Sequence, residues 1–239
     1  MSSVRSLPDT LQLLEQGEIT SLDLSPWGSN YTFLAKVRDS SRECRAVYKP
    51  RDGEAPLWDF PGGTLYKREY AAYLLSEILG WEFIPTTVIR DGPYGIGSLQ
   101  LFVDHDPRIN YFTLRESNPD ALRRIACFDL VTNNADRKAS HCLMGLDHEV
   151  CSIDHGLTFH SATKLRTVIW DFSGEPVPEV LLNQLSGFAE RMGQPDSTVR
   201  ELTSLLDEEE AAALAHRVEW LLEKREYPAP AQPRYPYGF

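Results

Sequence analysis

The chain has 239 residues, a formal net charge of −11, and 42% apolar and 25% charged residues. That is an ordinary globular composition, enough for one large domain or two small ones, and about 70% of the unfolded surface can be buried on folding. The acidic balance excludes nucleic acid as the main partner, because binding a phosphate backbone needs clustered Lys and Arg.

In chain order, "LPDTLQLLEQG" (7–17) predicts a short amphipathic helix, capped by Asp9 or Thr10 and stopped by Gly17. "EITSLDLSP" and "NYTFLAKVR" predict two strands joined by the small-residue turn "SPWGSN", and "RECRAVYKP" (42–50) predicts a third that Pro50 ends. "GTLYKREYAAYLLSEILG" (63–80) is the clearest helical stretch. Tyr66, Tyr70, Tyr73, Leu74 and Ile78 recur at helical spacing, and Gly80 terminates it. "FIPTTVIRDGPYGIGSLQLFVDH" (83–105) predicts two further strands around an Asp-Gly-Pro turn.

Beyond 106 the pattern turns helical. A buried helix is expected over 120–134, then a short hairpin from "HCLMG" and "EVCSI" with Cys142 and Cys151 on facing strands. Two helices follow, over 178–193 and 207–226, the second acidic at its start and basic at its end, as the helix dipole favours. The prolines of "YPAPAQPRYPYGF" (227–239) exclude helix and predict a tail that is loose or lies extended on the surface. The four cysteines are irregularly spaced with no Cys-x-x-Cys pair, which suggests neither a zinc ribbon nor a disulfide framework and reads as buried thiols in a reducing cytoplasm. No run reaches the ~18 apolar residues of a membrane span, so a cytoplasmic protein without a transmembrane segment is expected, with peripheral membrane contact left open.

A β-rich first half, a mostly helical second half and acids at the start of the second half form the layout of a two-lobed nucleotide kinase. Phosphoryl transfer sets requirements that can be matched to residues. Lys49, ending an apolar strand, is a candidate for holding nucleotide phosphates, and Glu69, in the first half of the strong helix, is a candidate partner for it. Ser29 and Asn30 offer backbone amides and a hydroxyl at a turn, a minimal phosphate cover. Asp154, in an Ile-Asp-His-Gly turn, suits a divalent cation, since magnesium takes one or two carboxylates beside substrate phosphate. Asp136 would then orient or deprotonate the accepting hydroxyl, Lys138 would neutralise the transferring group, and His141 would stand where a second, neutral metal ligand is expected. Taken alone each of these is as well read as a solvated strand end, helix turn or loop charge; their order along the chain is what carries the reading.

"LYKREYAAYLLSEILGWEFIPTTVI", "GSLQLFVDH", "NNADRKASH" and "SIDHGLTF" resemble the kinase core of the phosphatidylinositol 3-/4-kinase superfamily, and most of all type II phosphatidylinositol 4-kinases. "VYKPRDGEAPLWDFPGGTLYKREYAAY" and "LRTVIWDF" resemble an actinobacterial-type family related to those kinases; the likeness runs over roughly 19–225. The resemblance implies an α+β, two-lobed protein-kinase-like fold, with a β-rich N-lobe over 1–104, a mostly helical C-lobe over 105–226 and the tail over 227–239. It also implies ATP as cofactor, Lys49 on its phosphates and paired with Glu69, Ser29 and Asn30 in the phosphate loop, and Gln100, Leu101 and Phe102 as an adenine hinge that bonds through its backbone. Asp136 would be catalytic and Asp154 metal-binding. His141 departs from the family, which has Asn there. Imidazole suits transition metals better than it suits magnesium, so manganese is an alternative to magnesium.

The reaction expected is transfer of the γ-phosphate of ATP to a hydroxyl of an unidentified acceptor: protein, metabolite or lipid head group. "LTFHSATKLRTVIWDFSG" offers His160, Lys164, Arg166 and Trp170 to an anionic head group, or is a basic loop balancing an acidic protein. The alternatives are a nucleotide-binding pseudokinase acting as a regulatory module, and an AMP transferase using the same residues.

Overall fold

Alternating apolar and polar positions need one dry face, and here that face belongs to a five-stranded antiparallel sheet. The computed structural model describes residues 8–25 and 30–230. Strands β1 (Glu18–Leu24), β2 (Phe33–Arg38), β3 (Glu43–Pro50), β4 (Thr87–Gly92) and β5 (Gly95–Leu101) lie in the order β1-β2-β3-β5-β4, with every neighbouring pair antiparallel. Along β2, Phe33, Ala35 and Val37 are buried while Lys36 and Arg38 are exposed, the period of two that a half-buried strand requires. Helix α1 (Pro8–Gln16) contributes Leu13 and Leu14 to the core under the sheet, with Ala35, Val37, Ala46, Val88 and Leu99. Gly97 on β5 lies opposite Pro50; a Cβ there would meet the Lys49 carbonyl at 2.4 Å, so only glycine lets the end of β3 press this closely on β5.

The helix predicted over 63–80 is α2 (Leu65–Ile78). Gly80, at φ +64, closes it: its N–H donates to the Glu77 carbonyl at 3.0 Å, and the next N–H, of Trp81, donates to the Ser76 carbonyl at 2.9 Å. The apolar stripe understates its burial. Arg68, Glu69, Ala71, Ala72 and Ser76 are buried as well, so α2 is enclosed nearly all round. Its apolar residues Ala71 to Leu75 belong to one core with Phe128 of α4 (Pro119–Thr132), Leu181 and Leu185 of α5 (Glu179–Gly193) and Leu214 of α7 (Glu208–Lys224). The sheet and α1 form a separate, smaller core. By packing, then, α2 bridges the two: its apolar residues join the helical core, and it also lies against β4 and β5 of the sheet.

The hairpin appears as β6 (Cys142–Met144) and β7 (Val150–Ser152). Its register sets Cys142 opposite Ser152 and Cys151 opposite Leu143, one residue out of direct opposition, and all four thiols are free. Two helices were not expected: α3 (Tyr111–Ser117) and α6 (Ser197–Ser204). Both are too short to show a convincing apolar period and are set by their caps. Asn110 accepts the Phe112 N–H while Thr113 reciprocates, and Asp196 accepts the N–H groups of Thr198 and Val199, both at 3.0 Å. The start of the expected tail also differs. Tyr227 is buried with its ring against Phe172, and its hydroxyl donates to the Arg123 carbonyl at 2.9 Å. Residues 231–239 lie outside the described residues.

Candidate active site

Lys49, the last residue but one of β3, lines a cleft of about 540 Å³ between the sheet and the helical part. Its ammonium lies between two carboxylates. Glu69, from the second turn of α2, pairs with it directly, and Asp154, just after β7, accepts from it at 2.8 Å. Burial alone would lower the Lys49 pKa, but Asp154 and Glu69 outweigh it and raise it. The Lys49 charge in turn holds Asp154 well below the usual carboxylate range. For Glu69 burial dominates and pushes the carboxyl up, opposed by Lys49 and by the His155 N–H, which donates to Glu69 Oε2 at 2.9 Å. That last bond ties α2 to the loop that carries Asp154. Asp154 itself has φ +62, a left-handed backbone that Asp tolerates better than most residues and that places its carboxylate in the cleft.

His141 follows from a single 3-10 turn, Ala139–His141, and presents Nε2 to Asp154 Oδ2 at 3.3 Å. Burial lowers its pKa to about 4, with Asp154 opposing, so the ring is neutral at pH 7. Among the described residues no group of three or more His, Cys, Asp or Glu side chains converges as a metal cage. Two donors at this spacing fit a divalent cation that completes its shell with nucleotide phosphates and water. The Lys138 N–H approaches His141 Nδ1 only at 3.4 Å, too weak a contact to fix the ring proton there or on Nε2.

Asp136 and Lys138 line the same cleft. Lys138 Nζ lies 2.7 Å from Asp136 Oδ2, and Arg166 Nη2 lies 2.5 Å from Oδ1. Their loop is held from beneath by Asp129, an acid at a fully buried position of α4. Asp129 accepts from Arg137 at 2.8–3.1 Å, from Asn134 Nδ2 at 3.0 Å and from Thr167 Oγ1 at 3.0 Å. Arg137 also donates to the Ile153 carbonyl at 3.1 Å, joining the Asp136 loop to the Asp154 loop. Sequence reasoning missed this buried pair, and the available signal was the acid inside "IACFDLV": a carboxylate among core positions must be paired. Asn133, at φ +55, turns the chain out of α4, and its side chain donates to the carbonyls of His160 and Ala162.

Asn30 lines the cleft, and its Oδ1 accepts the Ala55 N–H at 2.7 Å; Ser29 lies outside the described residues. Gln100, Leu101 and Phe102 line the cleft too, but their polar groups are largely committed. Gln100 Nε2 donates to Thr87 Oγ1 at 2.9 Å, the Leu101 N–H to the Thr86 carbonyl at 2.8 Å, and the Phe102 N–H to the Arg45 carbonyl at 2.9 Å. Val103, also in the cleft, is the next residue along this stretch, and its N–H makes no hydrogen bond among the described residues. Every predicted site residue that the structure describes therefore meets in one cleft.

No family model matches the sequence. Protein Rv2133c of Mycobacterium tuberculosis (strain ATCC 25618 / H37Rv) is 38% identical over 257 aligned positions, which cover 93% of this chain and 92% of that protein. Phosphatidylinositol 4-kinase gamma 4 of Oryza sativa subsp. japonica is 28% identical over 184 positions, 62% of this chain, and the match spans only 32% of the plant protein. Among solved structures, the Golgi casein kinase superposes with a TM-score of 0.56 at 14% identity, over 94% of this chain and 78% of that one. Its Mn/ADP-bound form gives 0.56 at 15% identity, over 90% of this chain and 74% of that one. The structure of hydra Fam20 with sugar gives 0.55 at 15% identity, over 94% of this chain and 92% of that one. At such identities the likeness concerns the fold alone: an α+β kinase-like fold with a sheet-built first part and a helical second part.

Proposed function

Because the chain belongs to the family of the mycobacterial protein Rv2133c and has a kinase-like fold, we propose that it is an ATP-dependent phosphotransferase related to the phosphatidylinositol 3-/4-kinases. The observation that carries this reading is the Lys49 ammonium held between Glu69 and Asp154 on the cleft that also contains Asp136 and Lys138. A structural ion pair has no need of five ionisable groups around one cleft, whereas phosphoryl transfer uses each of them.

Lys49 holds the nucleotide's phosphates, with Glu69 fixing its position, and Asn30 with Ser29 covers them. The Val103 N–H bonds the adenine edge, while Gln100, Leu101 and Phe102 form the wall beside it. The acceptor hydroxyl approaches Asp136, which takes its proton as the acceptor oxygen bonds to the γ-phosphorus. The bond from that phosphorus to the β–γ bridging oxygen breaks, and ADP leaves with the electron pair. Lys138 moves from Asp136 to the transferring group as negative charge builds there. Asp154, with His141, would hold magnesium or manganese, which supplies neutralisation of the phosphate charge.

Thermal unfolding with ATP, ADP or GTP, each with magnesium, manganese or neither, tests the reading. A ligand at a hundred times its Kd adds about 2.7 kcal/mol, several degrees for a chain of this size. A metal-dependent shift with ATP that Asp154→Ala abolishes is expected. No shift with any nucleotide, or a shift unchanged in Asp154→Ala, would overturn it.

A further inference from the structure

Between β3 and α2 the chain passes through residues 54–64, and this segment is fastened to both sides of the cleft. Its first end is fixed to the sheet side. The Gly53 carbonyl accepts the Tyr31 N–H at 2.9 Å, the Ala55 N–H donates to Asn30 Oδ1 at 2.7 Å, and Glu54 Oε1 accepts the Tyr66 N–H at 2.9 Å. Glu54 and Leu57 both line the cleft, and Leu57 is also 38% exposed, which puts it at the rim. From there the segment is clasped to the loop that follows Asp154. Lys164 pairs with Asp59 at 2.9 Å, and its ammonium lies 4.9 Å from the centre of the exposed Trp58 ring. His160 Nδ1 accepts the Ala162 N–H, so the ring proton is on Nε2, which donates to the Asp59 carbonyl at 2.8 Å. The buried Phe60 ring meets His160 edge to face at 5.1 Å. The helical side of the clasp is itself anchored, since Asn133 Oδ1 accepts the Lys164 N–H at 2.9 Å and Asn133 Nδ2 donates to the carbonyls of His160 and Ala162.

Little else holds the segment. Apart from Thr64 Oγ1, which donates to the Pro61 carbonyl at 2.7 Å, it has no bonds of its own to keep its shape. None of the N–H groups of residues 57–60, 62 and 63 makes a hydrogen bond among the described residues, and Pro56 and Pro61 have none to give. Gly63, at φ +72, lies just before α2, where a glycine can absorb a change of backbone direction. Backbone without ladder bonds, closed by an ion pair whose side chains are 24% and 21% exposed, belongs to the part of a fold that opens most readily.

We propose that residues 56–63 form a strap at the rim of the nucleotide cleft, and that the Asp59–Lys164 pair is the latch whose release lets the nucleotide in and out. This rests on the phosphotransferase reading above. The clasp is made among protein groups alone, and neither latch residue lines the cleft. Weakening the latch therefore changes how often the strap opens and leaves the contacts that hold the bound nucleotide as they are. Entry and exit use the same opening, so both rates rise by the same factor and their ratio stays constant.

Stopped-flow fluorescence with a fluorescent ATP analogue and magnesium measures the two rates directly. Asp59→Asn and Lys164→Met are each expected to raise association and dissociation about threefold to fivefold, the shift in open population that loss of a part-exposed ion pair produces, with Kd within twofold. Reversing the pair, Asp59→Lys with Lys164→Asp, should bring both rates most of the way back. The two single variants stand on opposite sides of the clasp, so if one fails to fold, as its unfolding midpoint would show, the other decides. Unchanged rates in the single variants, a faster dissociation alone with Kd weakened in proportion, or a reversed pair as fast as the singles would each overturn the latch while leaving the nucleotide site intact. Failure of the analogue to bind the wild-type protein overturns the phosphotransferase reading as well.

Discussion

Asp136 and His141 give the sharpest expectations for single side chains. On the proposed assignment Asp136 is the general base, and an isosteric amide in its place removes proton transfer without disturbing the phosphate contacts. Asp136→Asn should therefore lower kcat by ~10²–10⁴-fold while ATP affinity changes less than twofold. A steady-state kcat within tenfold of the wild type would remove Asp136 from that role. His141 supplies a neutral imidazole nitrogen next to Asp154, because burial holds its pKa at about 4. His141→Asn swaps that nitrogen for an amide oxygen, the harder donor, and should shift metal preference from manganese toward magnesium in a titration of ATP turnover. Equal preference in both proteins would mean that His141 only packs. Both residues were readable from "ADRKASH". What could not be read was that Asp136 has two cations on it, since Arg166 lies thirty residues away and reaches it through the loop that Asp129 and Asn133 anchor.

Helix α2 is where sequence pattern and tertiary role part company. Its aromatic stripe announces a helix, but Arg68 and Glu69 are buried for reasons no stripe contains. Arg68 pairs with Glu210 of α7 and donates to the Thr158 carbonyl at 2.6 Å, with side-chain exposures of 2% and 7% for the ion pair. Removing one partner leaves a buried charge uncompensated, so Glu210→Leu should cost about 3–5 kcal/mol in denaturant unfolding. The double variant Arg68→Met, Glu210→Leu should recover part of that loss; a double variant as unstable as the sum of the singles would contradict the pairing argument. At the other end of α2, burial, with the neighbouring Glu82 adding to it, pushes the Glu77 carboxyl up to about 7. A carboxyl whose pKa is higher folded than unfolded favours the fold while protonated, and that contribution is lost as pH rises through the folded value. Glu77→Gln should leave the Tm nearly unchanged at pH 4.5 and raise it at pH 8.5 by roughly 2–4 °C, after discounting for partial exposure. The same shift at both pH values would assign the effect to something other than titration.

For the molecule as a whole, the buried apolar residues form two units, one of the sheet with α1 and one that joins α2 to the later helices, with α2 also lying against β4 and β5. Lys49 belongs to the first, Glu69 and Asp154 to the second, so a nucleotide held at this junction should fasten one unit to the other. Amides of β2 and β3 are expected to gain hydrogen-exchange protection on binding Mg-ATP, while those of α2 change little. Protection gained mainly in α2 would show that α2 moves with the sheet after all. No helix among the described residues is long and apolar enough to cross a membrane.

Local chemistry accounts for much of what was legible beforehand. Strand alternation, Gly80 as a helix stop, the Asp-Gly-Pro hairpin and the ordered Lys49, Glu69, Asp136, Asp154 series are all short-range or ordered features, and they carried the sheet, the main helices and the contents of the cleft. The short helices α3 and α6 escaped because capping by Asn110 and Asp196, not an apolar period, defines them. Tertiary packing alone decided which N–H groups at Leu101 and Phe102 are spent within the sheet, that α2 packs with the helical core, and that Arg166 stands over Asp136. Each of these depends on which groups distant in the chain compete for the same donor, the same apolar face or the same charge, and that competition is settled only when the chain is folded.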